Sequence, residues 1–278
     1  MHILITDSGV GGLSVVAYAE RFVRTRGFTE PVRLTFANAA PANDYGYNSM
    51  PSRAAKIETF DRFLRNVTQR FAPDMIYVAC NTLSVLLPDV SISAKGIIET
   101  AVNLLLSALD ADPTSAALIF GTQTTIDAGT YPRLLEGRGI EASRIVSQAC
   151  PGLADTISED RQGTKARSEI RRCVAEAMAK MPRRDAPIVA CLACTHYGYR
   201  KEFFAAALGD AATVINPNES AVDDLFDRTG GVHDVEVEVV TRYAIPRTTV
   251  ETLTWLLIDI SPRTVAALRD FVHVPDLF

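Results

Sequence analysis

The chain has 278 residues, of which 47% are hydrophobic and 22% charged, and a formal net charge of −5. That length suits two modest domains better than one core, and the composition is that of a globular protein. The acidic balance excludes general nucleic-acid binding, which needs a basic face, and no apolar run approaches the roughly 18 residues that span a bilayer.

The opening, Met1-His2-Ile3-Leu4-Ile5-Thr6-Asp7, has three apolar residues before a carboxylate. It lacks the basic and long apolar regions of a secretory leader, so a cytoplasmic location is expected. Five cysteines without such a leader argue against a disulfide framework.

Residues 2–6 read as a buried strand, broken by the turn Asp7-Ser8-Gly9-Val10-Gly11-Gly12. A helical pattern runs from about 13 to 26, with Gly27 as its stop. Residues 32–37 form the second strand, and 38–51 a polar loop containing Tyr45-Gly46. Ile57, Phe60, Phe63, Leu64, Val67 and Phe71 recur at helical spacing over 53–71, ended by Pro73. Residues 74–79 are the third strand, which stops at Cys80-Asn81-Thr82. Alternating strands and helices with short connections predict a parallel sheet with helices on both faces. Ligand sites in such sheets lie at the carboxyl ends of the strands, where Asp7-Ser8, Tyr45-Gly46 and Cys80-Asn81-Thr82 all fall.

The pattern then restarts. A helix over 100–109 precedes a strand over 116–120, which ends at Gly121-Thr122-Gln123-Thr124-Thr125. Residues 126–138 are mostly helical, and a short strand over 145–148 ends near Cys150-Pro151. A long helix over 165–181 leads to a strand over 187–193, which ends at Cys194-Thr195-His196. A helix over 199–208, a strand over 212–215 and a helix over 220–227 follow. Val235-Glu236-Val237-Glu238-Val239 alternates as a strand with one solvated face, and 249–258 and 264–272 are amphipathic helices. The architecture is duplicated, with weak sequence similarity between the halves.

The glycine-rich turn is neither a dinucleotide fingerprint nor a P-loop. The third glycine of the former would fall at Ser14, and no Gly-Lys-Ser/Thr follows. Thr6 stands where a nucleophile elbow needs glycine. What remains is either a backbone N–H cradle suited to a carboxylate or a plain turn with Asp7 as a cap. Cys191-Leu192-Ala193-Cys194 has C-x-x-C spacing, but a redox dithiol needs both sulfurs at a helix start, and Cys191 lies inside the apolar run. Only His196 is near enough to join a metal site, so no metal is expected. Cys150 and Cys173 read as packing residues. His196 follows a Cys-Thr pair at a strand end, which suits a working imidazole or a local hydrogen bonder.

One activated cysteine beside a histidine would suggest acyl transfer through a thioester. Two cysteines, each closing an equivalent strand, suggest another job. A thiolate removes a proton from one face of a carbon acid, a thiol returns one to the other face, and a stereocentre inverts. A free thiol with pKa ~8.5 offers both forms near neutrality. Asp7 would serve Cys80, and His196 would serve Cys194. Such chemistry needs water excluded and fixed donors for the developing charge.

Asp7-Ser8-Gly9-Val10-Gly11-Gly12-Leu13-Ser14, Tyr45-Gly46 with Ser49, Ala79-Cys80-Asn81-Thr82, Gly121-Thr122 with Thr125, and Cys194-Thr195-His196-Tyr197 together resemble glutamate racemase. That family lies within the aspartate/glutamate racemase superfamily, and the resemblance covers roughly residues 1–220. It implies interconversion of L- and D-glutamate by two cysteines without a cofactor, supplying D-glutamate for peptidoglycan and so for cell-wall biogenesis and cell shape. It also implies two doubly wound parallel-sheet α/β domains related by a pseudo-twofold duplication, with the active site in the cleft between them. The chain would return to its first domain, residues 1–98 plus 212–278, after a second domain over 99–211. Asp7, Ser8, Tyr45, Gly46, Asn81, Thr82, Thr122, Thr125, Thr195 and His196 match substrate-binding positions. The implied partner is a small dicarboxylic amino acid, with a homodimer as the assembly.

The chain departs from the family in three places. Asp44 stands where proline usually precedes Tyr45. Gly198-Tyr199 replaces Pro-Leu after the Cys-Thr-His-Tyr motif. Ile157-Ser158-Glu159 aligns with Val-Glu-Glu, so Ser158 replaces a glutamate that commonly assists the second cysteine. The alternatives are a racemase, isomerase or decarboxylase of another small acid such as aspartate, and a catalytically weak small-acid binding protein.

Overall fold

The computed structural model describes residues 1–42, 45–183 and 185–278. Asp44 lies outside the described residues. The chain divides into two compact units, Met1–Ile97 with Asn218–Phe278, and Ile98–Pro217.

The first unit begins with β1 (His2–Asp7), α1 (Leu13–Arg26), β2 (Val32–Asn38), α2 (Arg53–Phe71) and β3 (Met75–Val78). The very short α3 (Asn81–Ser84) and β4 (Lys95–Gly96) follow. Ile3, Leu4 and Ile5 are fully buried, as are Leu34 and Phe36. Strands buried on both faces of a parallel sheet are near-continuous apolar runs. Ser52 caps α2 by accepting from the Ala55 N–H, and Phe60, Phe63, Leu64 and Val67 form its buried face.

The second unit takes α4 (Ile97–Ala111), β5 (Ala116–Gly121), α5 (Gln123–Asp127), α6 (Thr130–Glu136) and β6 (Ile145–Ala149). It continues with α7 (Leu153–Glu159), α8 (Thr164–Ala179), β7 (Ile188–Ala193), α9 (Lys201–Leu208) and β8 (Ala212–Ile215). Phe120, Tyr197 and Phe204 anchor its core with Ile157, Ile170 and Leu192. The chain closes in the first unit with α10 (Pro217–Leu225), β9 (Val235–Thr241), α11 (Arg247–Leu257), α12 (Pro262–Arg269) and β10 (Val272–His273).

Both sheets are parallel throughout. The first has the order β10-β9-β2-β1-β3-β4 and the second β6-β5-β7-β8. The run β2-β1-β3-β4 therefore has the same topology as β6-β5-β7-β8, which is the duplication expected from the sequence. In each run the leading strand connects to one side and the third strand to the other. A sheet of this kind opens a crevice at that switch point, outside the carboxyl ends of the two strands. The crevice of the first sheet lies beyond Asp7 and Val78, and that of the second beyond Gly121 and Ala193.

Several elements differ from the sequence reading. The helix over 126–138 is two helices, because Gly129 adopts φ 59°, a left-handed conformation that stops α5 and starts α6. The strand over 212–215, placed with the first domain, is β8 and pairs with β7 in the second sheet. The helix over 264–272 ends at Arg269, and Val272–His273 adds a strand beside β9. With β2 on its other side, β9 is interior to the sheet. Among the described residues no helix is long and apolar enough to cross a membrane.

Candidate functional site

The register of each sheet decides which side chains meet at its switch point. Thr6 pairs with Val78 in the first sheet, and Gly121 with Ala193 in the second, 72 residues apart in both cases. Continued past the strand ends, that register matches Ser8 with Cys80 and Thr122 with Cys194 in sequence position. The two halves are also offset evenly: Thr122 and Cys194 each lie 114 residues beyond Ser8 and Cys80. A hydroxyl residue and a thiol thus occupy matching places in the two units.

In the first unit the Ala79 N–H donates to the Thr6 carbonyl at 2.9 Å, which carries the pairing up to the thiol. Ser8 Oγ then lies 3.1 Å from Cys80 Sγ and donates to Asp7 Oδ1 at 3.4 Å. Asp7, Cys80, Asn81 and Thr82 are all buried. Gly12 is needed here for space. A Cβ on it would stand 2.9 Å from Asp7 Cβ and 3.1 Å from both Asp7 Oδ2 and the Phe36 ring. Burial raises the Cys80 thiol well above its ordinary range, and the Asp7 charge raises it further. Hydrogen bonds from the Ser8 side chain and backbone act in the opposite direction. Cys80 therefore rests as a thiol at neutral pH, with one residue positioned to favour its thiolate.

Tyr45 and Gly46 belong to the loop after β2, and Asn38 at the end of β2 pairs with Asp7. Their loop thus leaves the same edge of the sheet. Tyr45 is 42% exposed, and a Cβ on Gly46 would meet nothing within 4 Å. They stand at an open place, unlike the buried Asp7 and Cys80.

In the second unit Cys194, Thr195 and His196 follow β7 and are buried. Cys194 Sγ lies 4.0 Å from His196 Nδ1, and His196 meets the Tyr199 ring edge-on with centroids 6.4 Å apart. Thr122 and Thr125 share a hydroxyl hydrogen bond of 3.0 Å, and the Thr122 hydroxyl also caps α5. Thr122 thus meets Thr125, and Cys194 meets His196.

Three features of this unit escaped the sequence reading. The Tyr197 hydroxyl donates to the carbonyls of Cys150 at 3.0 Å and Gly121 at 3.3 Å, tying the segment after β7 to the ends of β5 and β6. The residue was legible as part of a motif, and its bracing role was not. Asn216 lies against Gly198, where a Cβ would stand 2.5 Å from the amide oxygen. Gly198 thus leaves the space that the Asn216 amide occupies. Finally, α7 presents Leu153 and Ile157 to the core cluster that includes Cys194, while the Ser158 hydroxyl donates to the Ala154 carbonyl at 3.1 Å.

The remaining thiols divide by environment. Cys191, paired in register with Ile119 and Ile215, is fully buried, and burial alone pushes it up to about 12. It has the character of a packing residue, not of half a redox pair. Cys150 is raised by its hydrogen bond with Cys173 and by burial, and Cys173 is lowered by the same bond.

No family model matches the chain. It is 26% identical over 230 residues to a curated glutamate racemase from Sphingopyxis alaskensis, covering 82% of each chain. The structure of glutamate racemase from Campylobacter jejuni superposes with a TM-score of 0.72 at 21% identity, over 92% of this chain and 98% of that one. The Francisella tularensis glutamate racemase, solved in complex with D-glutamate, gives 0.69 at 21% identity, with 92% of each chain covered. The sequence marks this chain as a relative of glutamate racemases, and the structural likeness is one of fold.

Proposed function

We propose that the protein racemises glutamate, with Cys80 and Cys194 as the two proton-transferring groups. The observation that carries this reading is the repeated placement of a buried thiol at a sheet's switch point, each with a hydrogen-bonding side chain beside it. The sequence relationship to glutamate racemases supports the choice of substrate.

In this mechanism one thiolate takes the α-proton of the bound amino acid, and its electron pair stays on the α-carbon. The thiol of the other cysteine then delivers a proton to the opposite face, regenerating a thiolate. Reversing the direction exchanges the two roles. The α-carbon is a far weaker acid than a thiol, so the developing charge needs fixed donors in a site that excludes water. The Asn81 amide and the Thr82, Thr122, Thr125 and Thr195 hydroxyls supply donors at the strand ends. Asp7-Ser8, Tyr45-Gly46 and His196 complete the substrate-binding set. Asp7 attends Cys80 and His196 attends Cys194 as groups through which protons reach the sulfurs. The D-glutamate produced would serve peptidoglycan synthesis.

The test follows L- and D-glutamate in D2O by circular dichroism and by loss of the α-proton signal. Wild type is expected to racemise and exchange. Cys80→Ser and Cys194→Ser are each expected to lose roughly 10³-fold or more, in line with removal of a general acid–base group. Robust racemisation by either variant would overturn the two-thiol mechanism. Exchange of aspartate in place of glutamate would move the substrate assignment, and binding without exchange would make the protein a small-acid binder.

A further inference from the structure

Cys80 is 4% exposed, so a proton leaving its sulfur needs a defined acceptor. Ser8 is placed for that task. Its hydroxyl oxygen stands 3.1 Å from Sγ and its proton is directed at Asp7 Oδ1, 3.4 Å away. A hydroxyl has one proton to donate and two lone pairs to accept with. While it donates to the carboxylate, it can accept from the thiol.

We propose that Ser8 relays the proton between Cys80 and Asp7. The S–H bond breaks as a bond forms to Ser8 Oγ. The original Ser8 proton passes at the same time to Asp7 Oδ1. The products are a thiolate, an unchanged hydroxyl and a carboxylic acid. The reverse sequence recharges the sulfur when it acts as the acid. Charge is conserved, because the negative charge moves from carboxylate to sulfur. The turn at Gly12, which leaves no room for a Cβ against Asp7, fixes the far end of the relay.

This relay rests on the racemase reading above. Its test compares wild type, Ser8→Ala and Ser8→Thr at saturating glutamate, with the rate also followed against deuterium content in mixed H2O and D2O. Ser8→Ala is expected to lose about 100-fold in kcat, within the range of general acid–base contributions, with a smaller change in KM. Ser8→Thr keeps the hydroxyl and should recover most of that loss. The wild-type rate should curve with deuterium fraction, as two protons in flight require, and the Ser8→Ala rate should fall on a straight line. A kcat for Ser8→Ala within threefold of wild type overturns the relay, as does a straight line for wild type. The second criterion holds even if Ser8→Ala does not fold. A wild-type protein that exchanges no α-proton from glutamate overturns the racemase reading itself. Full exchange with an inert Ser8→Ala substitution overturns only the relay.

Discussion

At the end of β1 the residue before the hydroxyl is Asp7; at the matching place at the end of β5 it is Gly121. In the second unit a carboxylate there would have to push its neighbours aside. A Cβ on Gly121 would stand 3.0 Å from Ile126 Cδ1 and 3.3 Å from Thr125 Cγ2. Its titratable partner comes instead from the other strand: His196 occupies the place that Thr82 holds in the first unit, 114 residues on. Hydroxyl and thiol are therefore preserved across the duplication, while the titratable group has changed both its chemistry and its strand. A symmetric scaffold carries two unlike environments, a carboxylate beside one sulfur and an imidazole 4.0 Å from the other. That suits a reaction whose two faces are mirror-related only at the carbon.

The sharpest way to break the comparison is to crowd one half alone. Gly12→Ala keeps an ordinary helical φ of −64° and introduces only bulk, 2.9 Å from Asp7 Cβ. Small displacements of catalytic groups are costly. We expect Gly12→Ala to lower glutamate turnover roughly tenfold or more, with the circular dichroism spectrum of the folded protein retained. Unchanged turnover would mean that the position of Asp7 does not matter to the first thiol.

A smaller effect separates the two thiols that β7 and its extension carry. Cys191 is held up to about 12 from an ordinary 9.0 by burial. Its folded form keeps the proton while the unfolded chain loses it above the ordinary value. This stabilising contribution is complete below pH 9 and drains away as pH rises toward about 12, at about 1.4 kcal/mol per pH unit for the one proton involved. Urea unfolding at several pH values in that window should show the decline, with a shallower slope for Cys191→Ala. Equal slopes would show that Cys191 does not remain protonated in the fold.

The smallest expected effect lies at Ser158. Its hydroxyl bonds back to the carbonyl one turn earlier in its own helix, an arrangement that contributes little to a helix. Ser158→Ala should change turnover less than twofold and stability by no more than about 1 kcal/mol. A larger loss of turnover would identify the Ser158 hydroxyl as a functional group of the site.

The strands and their chemistry were legible because parallel strands buried on both faces read as apolar runs, and each run here stops at a polar cluster. Ile76–Ala79 before Cys80 and Ile188–Ala193 before Cys194 are such runs. The sheet to which β8 belongs was not legible. Ala212–Ile215 reads the same whichever neighbour it joins, and only pairing with β7 decides. The two-residue strands β4 and β10 are too short to carry a period. The break between α5 and α6 rests on the left-handed conformation of Gly129, which a helical pattern over 126–138 does not reveal. Within the site, the contacts missed were those between groups distant in sequence, such as Tyr197 with the carbonyls of Gly121 and Cys150.

The pairing of β2 with β9 also sets an order of assembly on the ribosome. All strands of the second unit have been made by residue 215, whereas β2 must wait for residues 235–241 to cover its open edge. At a synthesis rate of about 5–20 residues per second, that edge stays unpaired for many seconds after Val32–Asn38 emerges. An uncovered strand edge invites pairing with other chains. The first unit, begun before the second, is the last to be sealed, and a nascent chain stalled before β9 would expose β2 to the crowded cell around it.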